Sequence, residues 1–122
     1  MRILIVEDEV IIAESLYQLL VLLDYLPLEP VTTPGEAIDH IMRQEVDVLI
    51  LDVRLQNGRS GTEVAEYIRQ NNLQIPFIFL TAHSDADTVA KIKRLKPAAY
   101  LVKPVTRDSL FVAIEMIDNS PA

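Results

Sequence analysis

Four sets of residues in this 122-residue chain are of types that do chemistry, and each stands at the end of a short apolar run. Glu7-Asp8-Glu9 follow Ile3 to Val6, Asp52 follows Val48 to Leu51, Thr81 follows Phe77 to Leu80, and Lys103-Pro104 follow Ala98 to Val102. The unbroken run Val48, Leu49, Ile50, Leu51 reads as a strand buried on both faces. In open α/β sheets the carboxyl ends of the strands open onto the ligand crevice, so an acid delivered there faces chemistry instead of core. Asp52 also suits the opening of a turn, and alone it decides nothing. The three adjacent acids at 7–9 repel one another. They read either as capping and first-turn residues of a helix or as ligands for a hard divalent cation, which takes carboxylate oxygens and relieves the repulsion.

The elements that must position these groups follow from the hydrophobic pattern. A helix from about Glu9 to Asp24 carries Ile12, Leu16, Leu19, Leu20 and Leu23 on the stripe expected to face the sheet. Val10, Ile11, Tyr17, Val21 and Leu22 fall off that stripe, as scattered exposed hydrophobes or as a partner surface. Leu26 to Val31 reads as a strand interrupted by Pro27 and Pro30 and therefore at a sheet edge. Thr33, Pro34 and Glu36 give a cap, a first-turn proline and a first-turn acid for a helix through about Gln44. After Asp52 the polar stretch Gln56-Asn57-Gly58-Arg59-Ser60-Gly61 leads to a helix with Val64, Ala65 and Ile68 inward. Further helices run from about Asp85 to Leu95 and from about Thr106 to Ile117, the last with Leu110, Ala113, Ile114 and Ile117 inward. Strands alternating with helices predict a parallel sheet covered on both faces. All four chemical sets then emerge at one edge of it.

Composition excludes several classes. The chain is long enough for one sizeable core and too short for a second. A net charge of −7 with half the residues apolar describes an acidic soluble protein without the basic excess of a nucleic-acid binder. With no cysteine there is no disulfide framework, thiolate metal site or cysteine nucleophile, which is compatible with the cytoplasmic location expected here. The apolar runs are too short to span a bilayer, and Ile3 to Val6 runs into acids, unlike a secretory signal, so no membrane insertion is expected.

The ordered set strand-Glu7-Asp8, strand-Asp52, strand-Thr81-Ala82, strand-Lys103-Pro104 resembles the receiver domain of two-component response regulators over essentially the entire chain. The resemblance implies a flavodoxin-like, CheY-like three-layer α/β sandwich with parallel strand order 2-1-3-4-5. It implies a receiver domain over residues 1–119 with a C-terminal tail at 120–122. Position by position, Asp52 resembles the phosphoacceptor, Glu7 and Asp8 the Mg²⁺-binding acids, and the backbone carbonyl of Arg54 a further metal ligand. Thr81 resembles the hydroxyl that contacts the phosphoryl group, Lys103 its cationic partner, and Lys103-Pro104 the family's cis peptide. Tyr100 resembles the aromatic switch residue, which turns inward when Thr81 is drawn to the phosphoryl oxygens and so changes the face of the fourth helix, fifth strand and fifth helix. A half-buried strand tyrosine with its hydroxyl in water would need no switch.

The implied function is phosphorelay: a signalling phosphoacceptor that catalyses only its own phosphorylation and dephosphorylation. Its partners would be a sensor histidine kinase or histidine phosphotransfer protein, docking on Val10 and Ile11 and on the loop at Pro104, and a downstream protein. Phe111, Val112 and Met116 could extend that contact or support a homodimer. Arg54 and His83 fall at the variable positions two beyond Asp52 and Thr81 that tune phosphoryl loss, and a bulky cation at Arg54 predicts slow autodephosphorylation. The chain departs from the family in two places. The loop after Asp52 lacks the usual proline and is a residue longer before Gly61, and Lys96-Pro97 replaces a Gly-Ala pair. Lys91, Lys93, Arg94 and Lys96 form a basic face that is either solvated or docks an acidic partner. Met1 directly before the first strand is expected to be a true N-terminus, and with only Asn119-Ser120-Pro121-Ala122 after the last helix the chain reads either as a stand-alone receiver or as one excised from a longer protein. An aspartate-nucleophile phosphatase is disfavoured because Arg54 stands where that class needs a second acid. A non-phosphorylated receiver-like interaction module normally lacks one of the acids, the Thr or the Lys.

Overall fold

The apolar runs become the inner layer of a computed structural model that describes residues 1–55, 61–82 and 86–119. In chain order the elements are β1 (Arg2–Val6), α1 (Val10–Leu22), β2 (Leu26–Pro27), α2 (Pro34–Met42), β3 (Val48–Asp52), α3 (Thr62–Gln70), β4 (Phe77–Thr81), α4 (Ala86–Arg94), β5 (Ala99–Val102) and α5 (Arg107–Asp118). All strand pairs are parallel, in the order β2-β1-β3-β4-β5. This is the architecture expected from the sequence.

Side chains alternate across each strand, and the alternation sorts the core into two layers. Leu4, Val6, Leu49, Leu51, Phe77 and Phe79 pack on one face against α2, α3 and Ile92 of α4. Ile3, Ile5, Ile50, Ile78 and Leu80 pack on the other against Leu16 and Leu20 of α1 and Leu110 and Ile114 of α5. Burial on both faces is why β3 and β4 carry no polar residue before their last position, and why β1 is wholly apolar after Arg2. The helices start where local chemistry allows. Thr33 Oγ1 accepts from the Glu36 amide at 3.2 Å to cap α2, and Thr106 Oγ1 accepts from the Ser109 amide at 3.1 Å to cap α5.

Two elements differ in detail from the sequence reading. The second strand keeps regular pairing only at Leu26 and Pro27, with Val31 rejoining as an isolated bridge to Val6. Pro27 and Pro30 have no amide to donate, and the ladder survives through Leu28 and Val31, whose amides donate to Ile3 O and Ile5 O at 2.8 and 2.9 Å. In α1 the buried residues are Ala13, Leu16 and Leu20, while Ile12, Leu19 and Leu23 are only half-buried. The stripe is narrower than the apolar content suggested, leaving Val10, Ile11 and Leu22 largely in solvent. β5 is an edge strand whose outward side exposes Tyr100 and Val102. Among the described residues no helix is long and apolar enough to cross a membrane. The tail at 120–122, the loop at 56–60 and His83 lie outside the described residues.

Candidate functional site

Strand register brings the chemical residues together. Val6 pairs with Leu51, so Glu7 lies one step beyond, beside Asp52. Asp52 pairs with Leu80, which sets Thr81 one step past it, and Thr81 pairs with Val102, which sets Lys103 one step past that. β5 is not a neighbour of β3, so only a long side chain from Lys103 can cross β4 to reach Asp52. It does: Lys103 Nζ donates to Asp52 Oδ2 at 2.6 Å and to Glu7 Oε1 at 3.3 Å. Both acids are buried, Asp52 4% and Glu7 1% exposed. The second Asp52 oxygen, Oδ1, accepts from the Arg54 amide at 3.0 Å, so the backbone after β3 orients the carboxylate.

The electrostatics follow from this crowding. Burial, and then the adjoining Asp52 carboxyl, push Glu7 up to about 8, while Lys103 pulls the other way. Burial works against a charged Lys103, but the hydrogen bonds and charges of Asp52 and Glu7 outweigh it and hold the ammonium above the ordinary lysine value. Two buried carboxyls therefore share one cation. That donor set fits a hard divalent ion, since Mg²⁺ usually takes one or two carboxylates and completes its shell with water and substrate phosphate. Glu7, Asp52 and the Arg54 carbonyl could supply protein oxygens. Among the described residues no three His, Cys, Asp or Glu side chains form a metal-holding group, and Asp8 is half-buried in the β1–α1 turn.

Alternation separates the site into two halves. Glu7, Asp52 and Lys103 follow the parity of Ile5, Ile50 and Leu101, on the α1/α5 side. Thr81 follows the parity of Phe79, which pairs with Tyr100, so Thr81 and Tyr100 share the other side. Thr81 is 3% exposed and its carbonyl accepts from the Lys103 amide at 2.8 Å, whereas Tyr100 is 40% exposed and turned outward. The Lys103–Pro104 peptide is cis. Beside Lys103 lies a groove of about 410 Å³ between Ile12, Leu16 and Leu19 of α1 and the Pro104-Val105 turn. Val10 and Ile11, which precede Ile12 at the start of α1, are 76% and 83% exposed.

One residue of the site was visible in the sequence only as a loop glycine. The Gly61 amide donates to the Asp52 carbonyl at 3.0 Å, and a Cβ on Gly61 would collide with that same oxygen. A glycine nine residues past a strand-end aspartate is the available signal, but the close approach it serves is a tertiary fact.

Residues 3–115 match the family model described as the response regulator receiver domain. The chain belongs to the response regulator receiver family. The receiver is 32% identical over 109 residues to the regulatory protein LuxO of Vibrio cholerae, covering 89% of this chain and 24% of that protein. It is 35% identical over 118 residues to the transcriptional regulatory protein DltR of Streptococcus agalactiae, covering 95% of this chain and 51% of that one. The receiver thus spans about a quarter to a half of these curated relatives. Among solved structures, the non-phosphorylated HemR receiver domain of Leptospira biflexa superimposes with a TM-score of 0.84 at 30% identity, covering 99% of this chain and 96% of that one. The family places this receiver among two-component signalling proteins, and the interaction-module reading is not favoured.

Proposed function

We propose that Asp52 is the phosphoacceptor of a phosphorelay, loaded from a phosphohistidine of a kinase or phosphotransfer protein or from a small phosphodonor. The observation that carries this is the Lys103 ammonium 2.6 Å from a buried strand-end Asp52, with Glu7 on the same cation. An Asp52 oxygen attacks phosphorus, an acyl-phosphate P–O bond forms, the donor's P–N bond breaks, and the departing imidazole nitrogen takes a proton. Asp52 starts paired with Lys103 and oriented by the Arg54 amide, so little reorganisation precedes attack. As the phosphoryl group arrives, Lys103 moves from the Asp52 carboxylate to the new oxygens. Mg²⁺, when bound by Glu7, Asp52, the Arg54 carbonyl and Asp8, supplies charge neutralisation at the phosphoryl oxygens.

The readout proposed is a switch. The phosphoryl group adds roughly 1.5 to 2 negative charges and draws the Thr81 hydroxyl toward it. Tyr100, on the same side of the sheet, then turns into the space vacated, and the outer face of α4, β5 and α5 changes. Arg54, exposed beside the site, and His83 are proposed to set phosphoryl lifetime, Arg54 slowing loss. A histidine-bearing partner would seat against Val10, Ile11 and Pro104 over the groove, and a downstream protein or a second copy would read the changed face. The reaction belongs in the cytoplasm, where kinase domains and their nucleotide are found.

Intact-protein mass after incubation with acetyl phosphate and Mg²⁺ tests this. One added phosphoryl group is expected in the native protein, and none in Asp52→Ala or with the metal chelated. An adduct that persists in folded Asp52→Ala would sink the assignment.

A further inference from the structure

α4 is the most lightly anchored of the helices. Its one fully buried side chain is Ile92, against at least three in each of α1, α2, α3 and α5. In its first half Ala86, Asp87 and Ala90 are exposed and Thr88 and Val89 half-buried. At its other end the chain turns through Lys96, whose φ of 54° is a left-handed backbone that residues with a Cβ rarely adopt, and Pro97 forbids continuation. The last carbonyls of a helix have no partner within it. Two of those just past α4 are taken by a residue from another element: Arg69 of α3 donates from Nε to Leu95 O at 2.8 Å and from Nη2 to Lys96 O at 2.5 Å. Its guanidinium carbon also lies 5.0 Å above the ring centroid of Phe77, the first residue of β4.

These contacts sit at the edge of the sheet opposite Asp52, because Phe77 begins the strand that Thr81 ends. We propose that Arg69 is the pivot of α4, a positioning residue that pins the C-terminal end of the helix to α3 and β4 while the N-terminal end, which begins five residues after Thr81, swings. The planar fork suits the task, since it reaches two carbonyls while stacking on a ring, and its positive charge lies at the negative end of the helix dipole. Ile92, the buried anchor, lies three residues before Leu95, so the pinned end includes the sole deep contact. A side chain on α3 thereby converts a displacement at the site into a rotation of α4 about its far end. What drives the swing rests on the phosphoryl switch proposed above; the pivot itself does not.

Amide hydrogen exchange of the full 122-residue chain, followed by NMR, tests the pivot without phosphate. In Arg69→Met, which keeps an apolar stem over Phe77 but no donor, the Leu95, Lys96 and Ala98 amides are expected to exchange on the order of tenfold faster, with β1 and β3 amides unchanged. Equal acceleration everywhere, or none at 95–98, would overturn the pivot. Arg69→Lys keeps the charge but not the fork, and full recovery by it would overturn the two-carbonyl clamp. With acetyl phosphate and Mg²⁺, chemical-shift changes in the native protein should concentrate at 86–90, and in Arg69→Met extend through 96, while the Asp52 adduct forms at the native rate. Native changes spread evenly over α4 would overturn the pivot. Absence of any adduct would count against the phosphoacceptor reading alone, leaving the exchange comparison to decide the pivot.

Discussion

Glu7 is the residue on which charge and stability conflict. Its folded value of about 8 lies above the ordinary 4.5, so between those two values the native state holds a proton that the unfolded chain has already lost. Stability conferred by that proton is present at low pH and declines as pH rises through this window. In chelator, the urea midpoint of the native protein is therefore expected to fall from pH 5 to pH 8, by a few kcal/mol in extrapolated stability, and Glu7→Gln should flatten the fall. A native midpoint that rises over that range would contradict the crowding described. Lys103→Met removes the one cation from two buried acids. Breaking such a pair costs roughly 3 to 5 kcal/mol when fully buried. The Lys103 side chain keeps 21% exposure, so a smaller loss, about 1 to 3 kcal/mol at pH 8, is expected in the same denaturation assay. Gly61→Ala should cost about 2 kcal/mol or more by forcing the loop away from the Asp52 carbonyl. It should also slow adduct formation at Asp52 by mass, with Gly35→Ala, which meets open space, as the control.

At the scale of elements, most starts and stops follow from residues adjacent in sequence. The Thr33 cap, the Pro34 start, the Thr106 cap and the polar last residues of β3 and β4 all act within one turn of where they sit. Thr106→Ala is expected to lower stability by about 1 kcal/mol, the usual worth of an N-cap, measured as a shift in urea midpoint at constant slope. The end of α4 is different. Lys96 occupies a backbone region that favours glycine, so Lys96→Gly should stabilise by about 0.5 to 1 kcal/mol provided Arg69 keeps its carbonyl. The extents of β2 and of the α1 stripe were misjudged from the sequence for one reason. How far an edge strand pairs, and which side of a largely apolar helix is covered, depend on what lies next to them.

For the whole molecule, the parallel sheet places every strand end on one edge, and a ligand held there joins four strands at once. Mg²⁺ is expected to raise the melting temperature markedly at pH 8 and little at pH 5, where Glu7 is protonated. At a hundredfold excess over its dissociation constant the gain is about 2.7 kcal/mol. An equal shift at both pH values would remove Glu7 from the metal site. The sequence by itself determined the strands, their parallel alternation with helices, and the identities of Glu7, Asp52, Thr81 and Lys103, because apolar runs and polar strand ends are local patterns with one burial solution. Only the tertiary structure decided that Lys103 crosses a strand to hold both acids, that Thr81 and Tyr100 share a face, that Gly61 touches Asp52, and that Arg69 fastens α4. Each joins residues from different elements, and such contacts are set by register, side-chain reach and parity, which no single stretch of chain contains.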